Sequence, residues 1–286
     1  MNVILAETAG FCFGVERAID LVYKQIEKAE GKRKIFTYGP IIHNDEVVRE
    51  LEQKGVFSVQ GPEDFPKIRG SVLIIRSHGV AKEIYEKAEE NGIEVIDATC
   101  PFVKKIHRIV EKESREGKRI VVIGDKNHPE VAGIIGWGNG PVDVLKSEED
   151  AEKFTVDPKE KLCIVSQTTF NLTKFQYIVE IIEKKGYYIN VINTICNATQ
   201  ARQEEAESVS RAVDVMIVIG DPKSSNTQKL YEICKTYCKD TYYIQTVRDL
   251  ESANLQSGIS VGITAGASTP NNIIQEVLLN VRGKKL

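Results

Sequence analysis

Asp97-Ala98-Thr99-Cys100-Pro101 sets one cysteine in a tight turn, followed at once by a proline that opens a helix. That helix is amphipathic: Val103, Ile106 and Val110 recur at helical spacing, and Gly117 stops the stripe. Two other stretches share the construction, Gly10-Phe11-Cys12-Phe13-Gly14 and Thr194-Ile195-Cys196-Asn197-Ala198-Thr199. After the first, Val15, Ala18, Ile19, Val22 and Ile26 repeat at helical spacing up to Gly31. Cys12 and Cys100 are 88 residues apart, and Cys100 and Cys196 are 96 apart. Those intervals predict three repeated units that fill the chain.

Working outward, six β-rich runs end in small or polar loops: Lys34–Pro40, Val72–Ser77, Ile120–Gly124, Leu162–Ser166, Val215–Gly220 and Ser260–Thr264. Their loops are Ile42-His43-Asn44, Ser77-His78-Gly79, Asn127-His128-Pro129-Glu130, Gln167-Thr168-Thr169, Ser224-Ser225-Asn226 and Ala267-Ser268-Thr269. Each loop precedes a helical pattern, the last being Ile273, Ile274, Val277, Leu278 and Val281 after Thr269-Pro270. Short β-branched strands alternating with helices imply small, mainly parallel sheets covered on both faces, an α/β fold. In such sheets ligands collect beyond the carboxyl ends of strands, where these loops lie. The expected organisation is an N-terminal strand and first cysteine over residues 1–13, then three pseudo-symmetric lobes over 14–99, 100–195 and 196–286, with their loops facing a common centre.

Composition narrows the function. The 286 residues are 42% apolar and 28% charged, as in an ordinary globular protein. A net charge of −3 gives no basic field for nucleic acid and no polybasic segment for a membrane. No apolar run approaches the roughly 20 residues that span a bilayer, and Met1 to Ala6 lacks the features of a secretion signal. The expectation is a cytoplasmic monomer with neither nucleic-acid nor membrane partners.

The six cysteines form no C-x-x-C pair, which disfavours a zinc ribbon or a thioredoxin-like site. In the cytoplasm a thiol is core, reactive or a metal ligand. Cys163 falls inside a strand run, Cys234 lies on the stripe Leu230, Ile233, Cys234, Tyr237, and Cys238 flanks it, so these three read as core. Cys12, Cys100 and Cys196, at equivalent points of three repeats, read as metal ligands. Three thiolates suit zinc or an iron–sulfur cluster. A 4Fe-4S cube normally takes four cysteines, so three leave one iron open, able to act as a Lewis acid on a substrate oxygen while the cluster supplies electrons.

Three of the four histidines, His43, His78 and His128, open strand-end loops, and Ser224, Ser225, Asn226 and Ser268 occupy the matching places in the third unit. With the adjacent helix N-termini, such donors suit an anion such as phosphate. The rival is a three-histidine zinc site, against which the hydroxyls and amide of the third unit argue. His107, in the helix after Cys100, reads as a surface or packing residue. Glu130 either favours its helix dipole or, facing an open iron, serves as proton donor to a departing hydroxyl, with burial raising its pKa. Thr168 either caps a helix or fixes that hydroxyl.

Taken together these motifs, in order and over essentially the whole chain, closely resemble the LytB-type 4-hydroxy-3-methylbut-2-enyl diphosphate reductase family. The matching stretches run from Ala9-Gly10-Phe11-Cys12 through Ile42-His43-Asn44, Ser77-His78-Gly79-Val80, Asp97-Ala98-Thr99-Cys100-Pro101 and His128-Pro129-Glu130. They continue through Gln167-Thr168-Thr169, Cys196-Asn197-Ala198-Thr199 and Ser224-Ser225-Asn226 to Thr264-Ala265-Gly266-Ala267-Ser268. The resemblance implies three α/β lobes around one 4Fe-4S cluster held by Cys12, Cys100 and Cys196. It implies diphosphate binding by His43, His78, His128, Ser224, Ser225, Asn226 and Ser268, contact of Thr168 with the substrate hydroxyl, and proton delivery by Glu130. Two electrons from ferredoxin or flavodoxin would expel the hydroxyl as water, giving isopentenyl and dimethylallyl diphosphate, the last step of the non-mevalonate isoprenoid pathway. Asn197 stands where some members carry an aromatic residue, and it touches none of these roles.

Two other classes remain open at this level. A cluster-dependent hydro-lyase would use the open iron as a Lewis acid alone and need no reductant. A non-enzymatic iron or redox sensor would need a partner surface, of which the charge pattern shows no sign.

Overall fold

A computed structural model describes residues 2–252 and 258–283. The first stretch of chain carries β1 (Asn2–Leu5), α1 (Phe13–Ala29), β2 (Ile35–Tyr38), α2 (Asp45–Gln53), β3 (Val56–Val59), β4 (Val72–Ile75), α3 (Lys82–Glu90) and β5 (Glu94–Asp97). Next come α4 (Pro101–Arg115), β6 (Arg119–Ile123), α5 (Pro129–Ile135), β7 (Val142–Leu145), α6 (Glu148–Lys153), β8 (Lys161–Ser166), α7 (Leu172–Lys184) and β9 (Tyr188–Val191). The last stretch holds α8 (Asn197–Ala212), β10 (Val215–Ile219), α9 (Ser225–Tyr237), β11 (Asp240–Ile244), β12 (Ser260–Ala265) and α10 (Asn271–Gly283).

The strands form three four-stranded sheets, ordered β3-β2-β4-β5, β7-β6-β8-β9 and β1-β12-β10-β11. Every pairing is parallel. The α/β class with small parallel sheets is thus as the sequence predicts. Taken in chain order, the four strands of each of the first two sheets occupy the same places. The third sheet follows the same order once β1 is counted as its last strand, because β1 pairs with β12 as β5 does with β4. Each cysteine of the proposed triad therefore comes next after the fourth strand of a sheet: Cys12 after β1, Cys100 after β5, Cys196 after β9.

The six runs read from sequence are the two interior strands of each sheet. β4, β6, β8 and β10 are buried almost throughout, which only continuous β-branched or apolar runs such as Val72-Leu73-Ile74-Ile75 satisfy. The chain divides into two compact units, one of Met1–Val15, His43–Val47 and Cys196–Leu286, the other of Glu16–Ile42 and Val48–Ile195. The first unit packs Ile217, Ile263, Ile274 and Val277 on one face of its sheet, and Met216, Val218, Leu230 and Cys234 on the other. In the second, apolar cores gather around Leu73 and Ile84, around Ile106 and Val131, and around Ile164 and Phe175. Within it α4, α5 and the start of α3 are tied together, with Lys82 N donating to Gly136 O (3.4 Å) and Lys82 Nζ paired to Glu111 (3.2 Å).

Candidate active site

In the second unit Cys100 is the residue that caps α4, with Pro101 in the first turn. Its backbone N–H donates to Ser77 O (2.9 Å), which joins the cysteine turn to the Ser77-His78-Gly79 loop. Arg17 secures the turn from α1, donating to Thr99 O (3.2 Å) and Asp97 O (3.4 Å). Asp97 accepts from Thr99 N (2.9 Å) and pairs with Lys104 Nζ (2.6 Å). These partners outweigh burial and hold its carboxyl below the usual range.

His78 and His128 meet edge to face, ring centroids 5.4 Å apart. His128 caps α5, and its Nδ1 accepts from Glu130 N at 3.1 Å. A neutral imidazole that accepts at Nδ1 carries its proton on Nε2, so His128 presents a donor on its far side. His107 is buried rather than on the surface, only 3% exposed, with its ring stacked on Trp137 at 5.1 Å. Burial pushes its pKa down to about 4, so it packs as a neutral ring. Trp137 Nε1 donates to Val80 O (2.9 Å), and Gly79 has φ +69, where an added Cβ would lie 2.6 Å from His107 Cε1. The stack thus backs the His78 loop.

Glu130 is 2% exposed. Thr168 donates to it twice, backbone N to Oε1 and hydroxyl to Oε2, both at 2.6 Å. Burial pushes the Glu130 pKa up to about 7, against the pull of those two hydrogen bonds. A carboxyl so placed exchanges a proton near neutral pH, as a general acid must. Gln167 steadies the loop: its Oε1 accepts from Asp125 N (3.1 Å) and its Nε2 donates to Thr169 Oγ1 (2.9 Å).

In the first unit Cys12 directly precedes α1, and its N–H donates to Ala267 O (3.3 Å). Cys196 caps α8, its Sγ accepting from Thr199 N at 3.4 Å. Arg202 of α8 donates to Gly10 O and is 5% exposed. Burial lowers its pKa, opposed by Cys12, Cys196 and Glu205, so one buried cation serves both cysteine turns. Sequence reasoning missed Arg202. The signal was its place on the stripe Thr199, Arg202, Ala206, Val209, all buried.

Five of the polar residues also fall in the first unit. Ser224 caps α9, accepting from Thr227 N at 3.4 Å, and Ser225 opens that helix. Asn226 Oδ1 accepts from Ala267 N (2.9 Å), while its buried Nδ2 has no acceptor among the described residues. Ser268 Oγ donates to His43 O (2.9 Å), which ties His43 to the loop after β12.

Three parallel sheets, a helix-heading thiol after the last strand of each, and a buried carboxyl–hydroxyl pair define a repeat-built α/β protein. Comparison with known proteins agrees. A profile described as "LytB protein" matches residues 3–282. A 4-hydroxy-3-methylbut-2-enyl diphosphate reductase of Caldanaerobacter subterraneus subsp. tengcongensis is 47% identical over 285 residues, covering 100% of this chain and 98% of its own. The reductase of the same name from a Thermoanaerobacter species is 45% identical, covering 99% and 97%. The solved structure of the E-1-hydroxy-2-methyl-but-2-enyl-4-diphosphate reductase of Plasmodium falciparum superposes with TM-score 0.92 at 31% identity, over 99% of this chain and 88% of that one. A second, described as the terminal enzyme of the non-mevalonate pathway, is 42% identical with TM-score 0.70, over 99% and 100%. The chain belongs to the LytB protein family.

Proposed function

We propose that this protein is a reductase that removes the hydroxyl of (E)-4-hydroxy-3-methylbut-2-enyl diphosphate, giving isopentenyl and dimethylallyl diphosphate as the last step of the non-mevalonate pathway. In balance, the allylic alcohol takes two electrons and two protons and yields the deoxygenated diphosphate and water. The observation that carries the reading is the buried Glu130–Thr168 pair, in a chain matched end to end by reductases of this name.

Cys12, Cys100 and Cys196 are proposed to hold one 4Fe-4S cluster with one iron left open. The donor set fits: each thiol stands at a helix N-terminus, and each is partly exposed, within reach of a metal. The remaining three are buried, and burial pushes Cys163 up to about 12 and Cys234 to about 11, so those two stay neutral thiols. When bound, such a cluster supplies electrons and a Lewis-acidic iron for the leaving hydroxyl.

The chain's own residues do the rest. The head of α9, with Ser224, Ser225 and the unpartnered amide N–H of Asn226, offers donors to the diphosphate, as do Ser268, His43, His78 and the Nε2–H of His128. Glu130, protonated, gives its proton toward the departing hydroxyl. The proton moves through Thr168: Glu130 passes it to Thr168 Oγ while the Thr168 O–H proton passes to the substrate oxygen, which leaves Glu130 a carboxylate accepting from Thr168. Ferredoxin or flavodoxin is the proposed donor, and the protein is read as a cytoplasmic monomer. Among the described residues no helix is long and apolar enough to cross a membrane.

The test is anaerobic reconstitution with iron and sulfide, then turnover of the allylic diphosphate with dithionite and methyl viologen. Formation of both isomeric diphosphates, at about four irons per chain, is the expected result. Substrate consumed equally without reductant would replace this reading with a hydro-lyase.

A further inference from the structure

Three helices start at the proposed cysteine ligands, and their exposed faces differ in charge. In their first two turns, nearest the cysteines, α1 exposes Phe13, Glu16 and Asp20, and α8 exposes Asn197, Ala201 and Glu204. α4 exposes Phe102, Lys105, Arg108 and Lys112, a stripe opposite its buried Val103, Ile106, His107 and Val110. The acids of α4 are already matched: Glu111 by Lys82 and Arg115, Glu113 and Glu116 by Lys118. Lys105 and Arg108 have no ion-pair partner among the described residues. A chain of net charge −3 therefore carries a local cationic stripe that begins at an exposed phenylalanine, two residues from Cys100.

We propose that this face of α4 docks a small acidic one-electron carrier protein, delivering electrons beside Cys100. The inference rests on the reductase reading and says where its reductant binds. A 15-residue helix offers a face about 22 Å long, and electron-transfer encounters are small, commonly under about 1,200 Å². Phe102, 45% exposed, supplies an apolar contact at the Cys100 end, and the cations steer the partner in. An acidic carrier is repelled by Glu16 and Asp20 beside Phe13, which is why α4 is favoured over α1. Each encounter passes one electron. Two encounters, with two protons, complete the conversion of the allylic hydroxyl to water.

The test uses the reconstituted full chain, driven in parallel by a reduced acidic ferredoxin and by dithionite with methyl viologen. Lys105→Glu/Arg108→Glu should raise the apparent KM for ferredoxin roughly tenfold and flatten its dependence on salt. Viologen-driven turnover and iron content should stay at wild-type levels. Phe102→Ala should weaken the ferredoxin reaction alone. A control reversal of two exposed cations elsewhere, Lys24→Glu/Lys159→Glu, should leave both reactions unchanged. An unaltered ferredoxin KM in the α4 variant, or an equal rise in the control, overturns the docking face while leaving the reductase reading intact. Wild-type protein inactive with both donors overturns the reductase reading and this inference with it.

Discussion

Glu130 and Thr168 are joined by two hydrogen bonds of 2.6 Å, one to each carboxyl oxygen, inside a protein environment that leaves Glu130 only 2% exposed. Both donors come from one residue, so the carboxyl is fixed in orientation while its protonation stays free to change. Glu130→Gln keeps the shape and an acceptor for Thr168 N but has no acidic proton. Removal of a general acid typically costs 10² to 10⁴ in rate. Turnover of the variant should fall by about that factor while substrate affinity and iron content hold. Turnover at the wild-type level, measured anaerobically with viologen, would exclude Glu130 as the proton source.

The same residue sets a pH dependence. With its pKa near 7, the protonated fraction of Glu130 declines above neutrality. Viologen-driven kcat/KM should therefore drop about tenfold per pH unit on the alkaline side, and that limb should vanish in the residual activity of Glu130→Gln. Stability follows the same titration. From the ordinary carboxyl value of 4.5 up to about 7, the folded protein keeps a proton that the unfolded chain has released. The folded state therefore loses stability as pH rises through that window, by about 3 kcal/mol once both forms are ionised. Glu130→Gln escapes the loss, so its Tm should exceed wild type at pH 8.5 and match it near pH 4.5.

The cysteines divide into two experimental classes. Cys12→Ser, Cys100→Ser and Cys196→Ser should each lose iron and the visible absorption of a cluster. Cys234→Ala, which removes a fully buried thiol packed with Met216 and Leu230, should keep both and lose about 1 kcal/mol of stability, the scale of a buried methylene. Full iron retention in Cys100→Ser would take that residue out of the ligand set.

What the sequence made legible follows burial. The interior strands stand out because both faces need apolar side chains, as in Val215-Met216-Ile217-Val218-Ile219, every residue buried. The edge strands escape notice for the opposite reason: β9 has four residues, Tyr188 is 70% exposed, and Asn190 interrupts the run. The loops were readable because His, Ser, Thr and Asn cluster where strands end. Glu130 and Thr168 were each readable as acting on one hydroxyl, but their direct pairing was not, because they lie 38 residues apart and only the fold joins them. Arg202 escaped because a lone arginine in a polar helix resembles solvated surface until its burial beside Gly10 is seen.

Gly79 tests whether the buried ring stack positions the His78 loop. Its φ of +69 is one that other residues resist, and a Cβ there would sit 2.6 Å from His107 Cε1 and 3.0 Å from Thr99 Cγ2. Gly79→Ala should therefore destabilise by more than the roughly 1 kcal/mol of backbone strain alone, and raise the substrate KM as the loop carrying His78 shifts. The steric share can be separated from the backbone share. His107→Ala removes the ring that the new methyl strikes but leaves the φ cost, so the two substitutions should be non-additive. A coupling of about 0.5 kcal/mol or more in a double-mutant cycle of unfolding free energies is the expected result. Strict additivity would mean that the ring gives way without cost, and that the stack of His107 on Trp137 does not hold the loop.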